Sequence, residues 1–127
     1  MVDRPHTPLE GSALNLEVSG MMVGLLKGYL GRGPTKARTV ASENVVVCLM
    51  GETLTKAEHT LVEDQKASYV REMRRTFQDT MEADAKARME ELSGRRVVSF
   101  LSDHDVIQDL AVEVFVLDGG PAEAADD

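Results

Sequence analysis

Aromatic side chains make up only 4% of the sequence, tryptophan is absent, and Cys48 is the single cysteine. Without large rings, the interior has to be filled by aliphatic chains and by seven methionines, whose flexible thioethers suit irregular or repackable gaps. One cysteine excludes an intramolecular disulfide and a cysteine-rich metal site. Cys48 lies in the apolar run Val45-Val46-Val47-Cys48-Leu49-Met50 with no base beside it, so it reads as a small core residue. Bases are also in deficit: 14 Lys and Arg against 22 Asp and Glu leave a net charge of −8. That balance excludes nucleic acid, and anionic membranes, as partners held by bulk electrostatics. The longest apolar stretch near the front is broken by Lys27 and is too short to span a bilayer, which excludes direct membrane insertion. The opening MVDRPHTPLE has no apolar segment of the signal-peptide kind, so the chain reads as cytoplasmic.

What is present is the composition of a globular protein, with 43% apolar and 28% charged residues in 127 positions, enough for one core. The expected organisation is a leader over residues 1–7, a single α+β domain over 8–118, and an acidic flexible tail over 119–127. The last ten residues contain Asp118, Glu123, Asp126 and Asp127 and no base, so half of the net charge is local.

Thr7-Pro8-Leu9-Glu10 carries the marks of a helix start: a capping hydroxyl, a proline in the first turn, and a glutamate three residues on. Leu14, Val18, Met21, Met22, Leu25 and Tyr29 then recur at spacings of three and four, and Gly31 with Pro34 ends the pattern. This predicts a first helix over roughly residues 8–30. Thr35 to Met50 changes period and reads as a hairpin around Ser42-Glu43-Asn44. Thr55-Lys56-Ala57-Glu58 is a second capping box, opening a short helix that fades near Asp64. A long helix follows, with Val70, Met73, Phe77, Met81, Ala85, Met89 and Leu92 on one face and Gly94 as its stop. Arg96–Ser102 and Leu110–Leu117 are the last strands, the final one apolar on both sides because Phe115 and Leu117 oppose Val114 and Val116. The order α-β-β-α-α-β-β implies a two-layer α+β sandwich: an antiparallel sheet of two hairpins with helices on one face.

The stretch GYLGRGPTKAR, residues 28–38, is the first candidate site. Glycines let a backbone approach a ligand, Arg32 can grip a carboxylate or phosphate through two parallel bonds, and Lys36 and Arg38 add positive field. However, the loop follows a helix C-terminus, whose partial negative charge repels anions, and no phosphate-loop pattern is present. On the structural reading, Gly31 caps the helix, Pro34 sets the turn, and Arg32 satisfies the dipole or a carboxylate elsewhere. Gly20, Gly24 and Gly28 form a ridge along the first helix. Each costs roughly 1 kcal/mol against alanine, so close packing within the monomer or across a dimer is the expected compensation. Ser102-Asp103-His104-Asp105 contains the letters of a catalytic triad, yet neighbouring strand residues point to opposite faces and cannot line up as nucleophile, orienter and base. Asp103, His104 and Asp105 as metal ligands are the weaker reading of an Asp-rich turn, and no cofactor is implied. His6 and His59 lack partners at ligand spacing and read as surface residues. Arg71, Arg74 and Arg75 share one side of the long helix. A solvated, ion-paired face is the default, with a buried carboxylate partner or an acidic binding partner as the alternatives.

Taken together, these landmarks resemble the MpsC-like family, small prokaryotic proteins named after a component of a Na⁺-translocating membrane-potential-generating system. The resemblance covers roughly residues 9–117. It rests on Tyr29-Leu30-Gly31-Arg32-Gly33-Pro34 after the first helix, and on Gly51, Leu54, Thr55 and Glu58 after the hairpin. Val70 with Arg74-Arg75, Ser102-Asp103 and the closing Val114-Phe115-Val116-Leu117 add to it. It implies a non-enzymatic accessory or regulatory protein tied to a membrane system for cation, bicarbonate or membrane-potential homeostasis. The implied partners are a membrane transport protein, which would hold the chain at the membrane periphery, and further copies of the chain in a homo-oligomer. Gly31, Arg32, Gly33, Pro34, Arg38 and Asp103 are the expected partner- or anion-binding residues. The rival expectation is a small-anion receptor or enzyme built on the same loop.

Overall fold

Leu14, Val18, Met22, Leu25 and Leu26 lie along one side of a helix and are all buried, which is what their three- and four-residue spacing requires. In the computed structural model, which describes residues 8–119, this is helix α1, Gly11–Leu30. It starts later than expected. Glu10 occupies the cap position with extended backbone and makes no side-chain cap bond; the predicted first capping box falls on Thr7, which lies outside the described residues. The reason is tertiary: the Leu9 N–H donates to the Leu92 carbonyl at 2.9 Å, holding the segment before α1 extended against another helix.

Strands β1 (Lys36–Ser42) and β2 (Val45–Gly51) form the first hairpin, with Glu43 at its tip in the left-handed region at φ 56°. Helix α2 (Lys56–Glu63) and helix α3 (Ala67–Ser93) follow, then β3 (Val97–Asp105) and β4 (Leu110–Leu117). Strand β3 runs three residues beyond the expected Ser102, because Asp103, His104 and Asp105 pair with Val112, Ala111 and Leu110. The four strands form one antiparallel sheet in the order β1-β2-β4-β3. Helix α1 packs over β1 and β2, α3 over β3, and the two touch each other, so both lie on one side of the sheet, with α2 packed against α3. The α+β architecture read from the sequence is the one observed.

Register sorts the side chains into rows across the sheet. On the helix side, Ala41, Val46, Phe115 and Phe100 form one row, and the two phenylalanine rings pack at a 52° tilt with centroids 5.0 Å apart. The next row, Thr39, Cys48, Glu113 and Ser102, is polar, although Thr39, Cys48 and Glu113 are buried. On the opposite side the rows are Val40, Val47, Val114, Leu101 and Arg38, Leu49, Val112, Asp103. No element covers this second face among the described residues. The apolar outer positions of β4 therefore meet no covering element among the described residues.

The glycine ridge does not meet the first of its two expected compensations. A Cβ placed on Gly20, Gly24 or Gly28 would meet nothing within 4 Å, so the ridge points outward and does not serve close packing inside the monomer.

Candidate functional site

Three of the four residues in Gly31-Arg32-Gly33-Pro34 do structural work that can be named. Gly31 caps α1 in the left-handed conformation at φ 80°, its N–H donating to the Lys27 carbonyl. A Cβ on Gly33 would sit 3.0 Å from the Val23 carbonyl and 3.3 Å from the Lys27 Cβ, so the absence of a side chain lets the loop lie against α1. Pro34 is buried. The Arg32 guanidinium crosses to the β2–α2 connection, where Nη1 donates to the Leu54 carbonyl. Arg32 thus ties the end of α1 to the start of α2 rather than to the last carbonyls of its own helix.

The other expected site residues are elsewhere. Arg38 is exposed on β1 and Asp103 on β3, opposite edges of the sheet and three strand spacings apart, about 14 Å. Both point to the uncovered face, since their neighbours Thr39 and His104 are buried on the helix side. The structure therefore does not gather Arg32, Arg38 and Asp103 around one ligand. Asp103 and Asp105 likewise share a face that His104 does not. Among the described residues, no group of three or more His, Cys, Asp or Glu side chains could hold a metal.

What the fold does gather is a cluster that the sequence pattern only half revealed. Glu58, third residue of α2, completes the Thr55 capping box: its Oε1 accepts the Thr55 N–H at 2.8 Å, and Thr55 Oγ1 accepts the Glu58 N–H at 3.2 Å. The same carboxylate receives Arg74 from α3, Nε to Oε2 at 2.7 Å and Nη2 to Oε1 at 2.6 Å, and Nη2 also donates to the Thr53 carbonyl. Both side chains are about 97% buried. Burial works against ionisation of Glu58, but the Arg74 bonds and the Thr55 N–H outweigh it and hold the carboxyl below its usual value. Arg74 thus leaves the solvated face expected for it and takes the buried carboxylate partner instead.

Asp109 closes the cluster from the β3–β4 turn. Its Oδ1 accepts from the Thr53 N–H and hydroxyl, both at 2.9 Å, and its two oxygens accept from the Leu54 N–H. Burial alone would raise its pKa; these donors and His104 lower it below the ordinary carboxyl value. His104 Nε2 lies 3.2 Å from Thr53 Oγ1 and 3.5 Å from Asp109 Oδ1. Burial and the nearby Arg74 charge depress the imidazole pKa, so the ring is neutral at pH 7. His59, half exposed on α2, reaches Asp109 Oδ2 at 3.6 Å.

Glu113 lies a short way along β4. Burial pushes its pKa up to about 8, against the opposing effect of Ser102, whose hydroxyl lies 2.7 and 2.5 Å from its two oxygens. Its parity with Ala111, Phe115 and Leu117 marks it as inward-facing, a signal available in the sequence but outweighed by its charge. Asp109 had no such signal, because its role depends on a loop 55 residues away. Arg74, His104 and Glu113 line one small internal cavity of about 10 Å³, no larger than a single water molecule. An open groove of about 320 Å³ runs between Arg75, Asp79 and Glu82 of α3 and Ser102 and Asp103 of β3.

A buried ion-paired cluster beside an aliphatic core, under a sheet that the described elements cover on one side only, makes this a small α+β domain. The chain belongs to the MpsC family, described as "Na⁺-translocating membrane potential-generating system (MpsC)", which it matches over residues 11–119. It is also 30% identical over 104 residues to the uncharacterized protein YrhF of Bacillus subtilis (strain 168), covering 80% of this chain and 85% of that protein. No solved structure matches it. Among the described residues, no helix is long and apolar enough to cross a membrane.

Proposed function

We propose that the protein is a non-enzymatic accessory or regulatory component of a Na⁺-dependent membrane-potential or transport system. It would act from the cytoplasm and be held at the membrane by a transport protein that itself spans the bilayer. The family match carries this reading, because it extends over all seven elements of the fold and not over an appended motif. The non-catalytic part rests on bonding: Arg74, Glu58, Asp109 and His104 are engaged with one another and with backbone, as structural groups are. In this reading Gly31, Arg32, Gly33 and Pro34 shape the shoulder offered to the partner. A small anion at Arg32 would have to compete with the Leu54 carbonyl that already receives its guanidinium.

The test is deletion of the chain in its native cell, with membrane potential followed by a voltage-sensitive dye as external Na⁺ is varied, alongside affinity purification after gentle solubilisation. The expected outcome is a weakened Na⁺ dependence and recovery of an integral transport protein with the tagged chain. An unchanged Na⁺ response together with recovery of the chain alone would reject the reading. Arg32→Ala is expected to lower stability by about 1 kcal/mol through the lost strap to Leu54. Chemical denaturation measures that separately from any loss of the co-purifying partner.

A further inference from the structure

The uncovered face of the sheet is apolar at its centre and charged at two opposite edges. Val45, Val47 and Leu49 of β2 alternate with Val112, Val114 and Val116 of β4 to form a central strip, all half-buried by their own neighbours. Val40 of β1, Leu101 of β3 and Leu110 at the start of β4 extend it, with 50%, 58% and 42% of their surface exposed. Seven paired positions on each of four strands give a projected area of roughly 450 Å². That figure covers the whole face, charged edges included, of which the apolar strip along β2 and β4 is about half.

The edges carry the more specific information. On β1 the outward residues include Lys36 and Arg38, and on β3 they include Asp103 and Asp105. Register places Arg38, Leu49, Val112 and Asp103 in one row, and Lys36, Gly51, Leu110 and Asp105 in the next. The face is thus polarised from edge to edge, with Arg38 the unpaired base on β1 among the described residues and Lys36 already 3.6 Å from Glu52. A two-fold axis parallel to the strands, lying between two such faces, keeps each row at its own height and exchanges the edges. It sets β1 of one copy over β3 of the other, Arg38 over Asp103 and Lys36 near Asp105, twice over, with the valine strips meeting at the centre.

We propose that this face is the docking surface for a second copy of the chain. The two sheets would pack as an aligned sandwich with their strands about 30° apart. Two such faces together bury on the order of 1,000 Å², the lower bound for a specific interface, so the dimer belongs to the weaker, concentration-dependent class. A lipid surface fits poorly, since two acids on the face offset its two bases. Residues 1–7 and 120–127 offer little to cover it, with Met1 and Val2 as their only large apolar side chains. This assignment is independent of the transport role proposed above and leaves the helix side and the GRGP shoulder free for another partner.

The test is the oligomeric state of the full chain by sedimentation equilibrium, up to about 200 µM, with a charge exchange across the predicted contact. Arg38→Asp and Asp103→Arg each place like charges opposite one another at two symmetric points and are expected to weaken the dimer about tenfold or more. The double variant R38D/D103R restores opposite charges and is expected to recover most of the lost affinity. Both positions are exposed, and circular dichroism confirms folding of each variant. A wild-type chain that remains monomeric throughout overturns the proposal. So does a dimer indifferent to both single changes, or one that the double exchange fails to rescue.

Discussion

Glu113 is the residue with the clearest measurable signature. Its carboxyl is protonated in the fold up to about pH 8 and ionises near pH 4.5 when exposed, so the unfolded chain binds fewer protons between those limits. Stability contributed by this group is present at low pH and lost progressively as pH rises from about 4.5 through about 8. His104 pulls the other way on the acid side, because its folded pKa is depressed and the unfolded chain gains its proton first. Glu113→Gln removes the first effect and keeps the amide's size. It is expected to gain on wild type with rising pH, by on the order of 3 kcal/mol at neutrality, as read by urea unfolding over a pH series. Equal slopes for the two proteins would reject the buried-acid account. Arg74 makes the opposite point. Arg74→Ala strands the Glu58 carboxylate in the interior and is expected to cost about 3–5 kcal/mol. A change that also removes Glu58 costs less than the two single losses summed, which a double-mutant cycle measures.

Among the elements, α1 and α2 owe their places to different causes. Helix α2 has eight residues, too few to persist alone, and is held by its capping box and by Arg74 reaching in from α3. Helix α1 has a well-formed buried stripe, but its outer side carries three glycines with open space around them. Among the described residues nothing packs on them to compensate their propensity cost. Gly24→Ala is therefore expected to raise stability by about 1 kcal/mol, measured by thermal or chemical unfolding. A loss instead would mean that another molecule packs against the ridge. The loop after α1 shows how a motif with the look of a ligand site can be built for geometry. Gly31 reverses the chain, Gly33 lets it lie on α1, and Arg32 fastens it to the next loop.

At the scale of the whole molecule, the pairing of sheets proposed above would make the chain's measured stability depend on its own association. The melting temperature is expected to rise with protein concentration in scanning calorimetry, and Arg38→Asp is expected to flatten that dependence. Local chemistry decided a great deal of this architecture. The three- and four-residue spacing in Leu14 to Leu26 and Val70 to Met89, the alternation in β4, the Thr55-to-Glu58 box and the glycine stops all act within a few residues. Such short-range signals place helices, strands and their order, so the α+β layering was legible. Positions set by long-range approach were not. Glu10 fails to cap because Leu9 bonds to Leu92, and Arg74 is buried because Glu58 and Thr53 meet it from another element. Asp109 becomes an anchor because the β3–β4 turn comes to rest on Thr53 and Leu54. Arg38 and Asp103 were chosen from the sequence as members of one site, yet strand order alone put them at opposite edges of an open face. Periodicity is a property of neighbours along the chain and can be read there. The pairing of distant charges depends on which strands become adjacent, and only the folded sheet decides that.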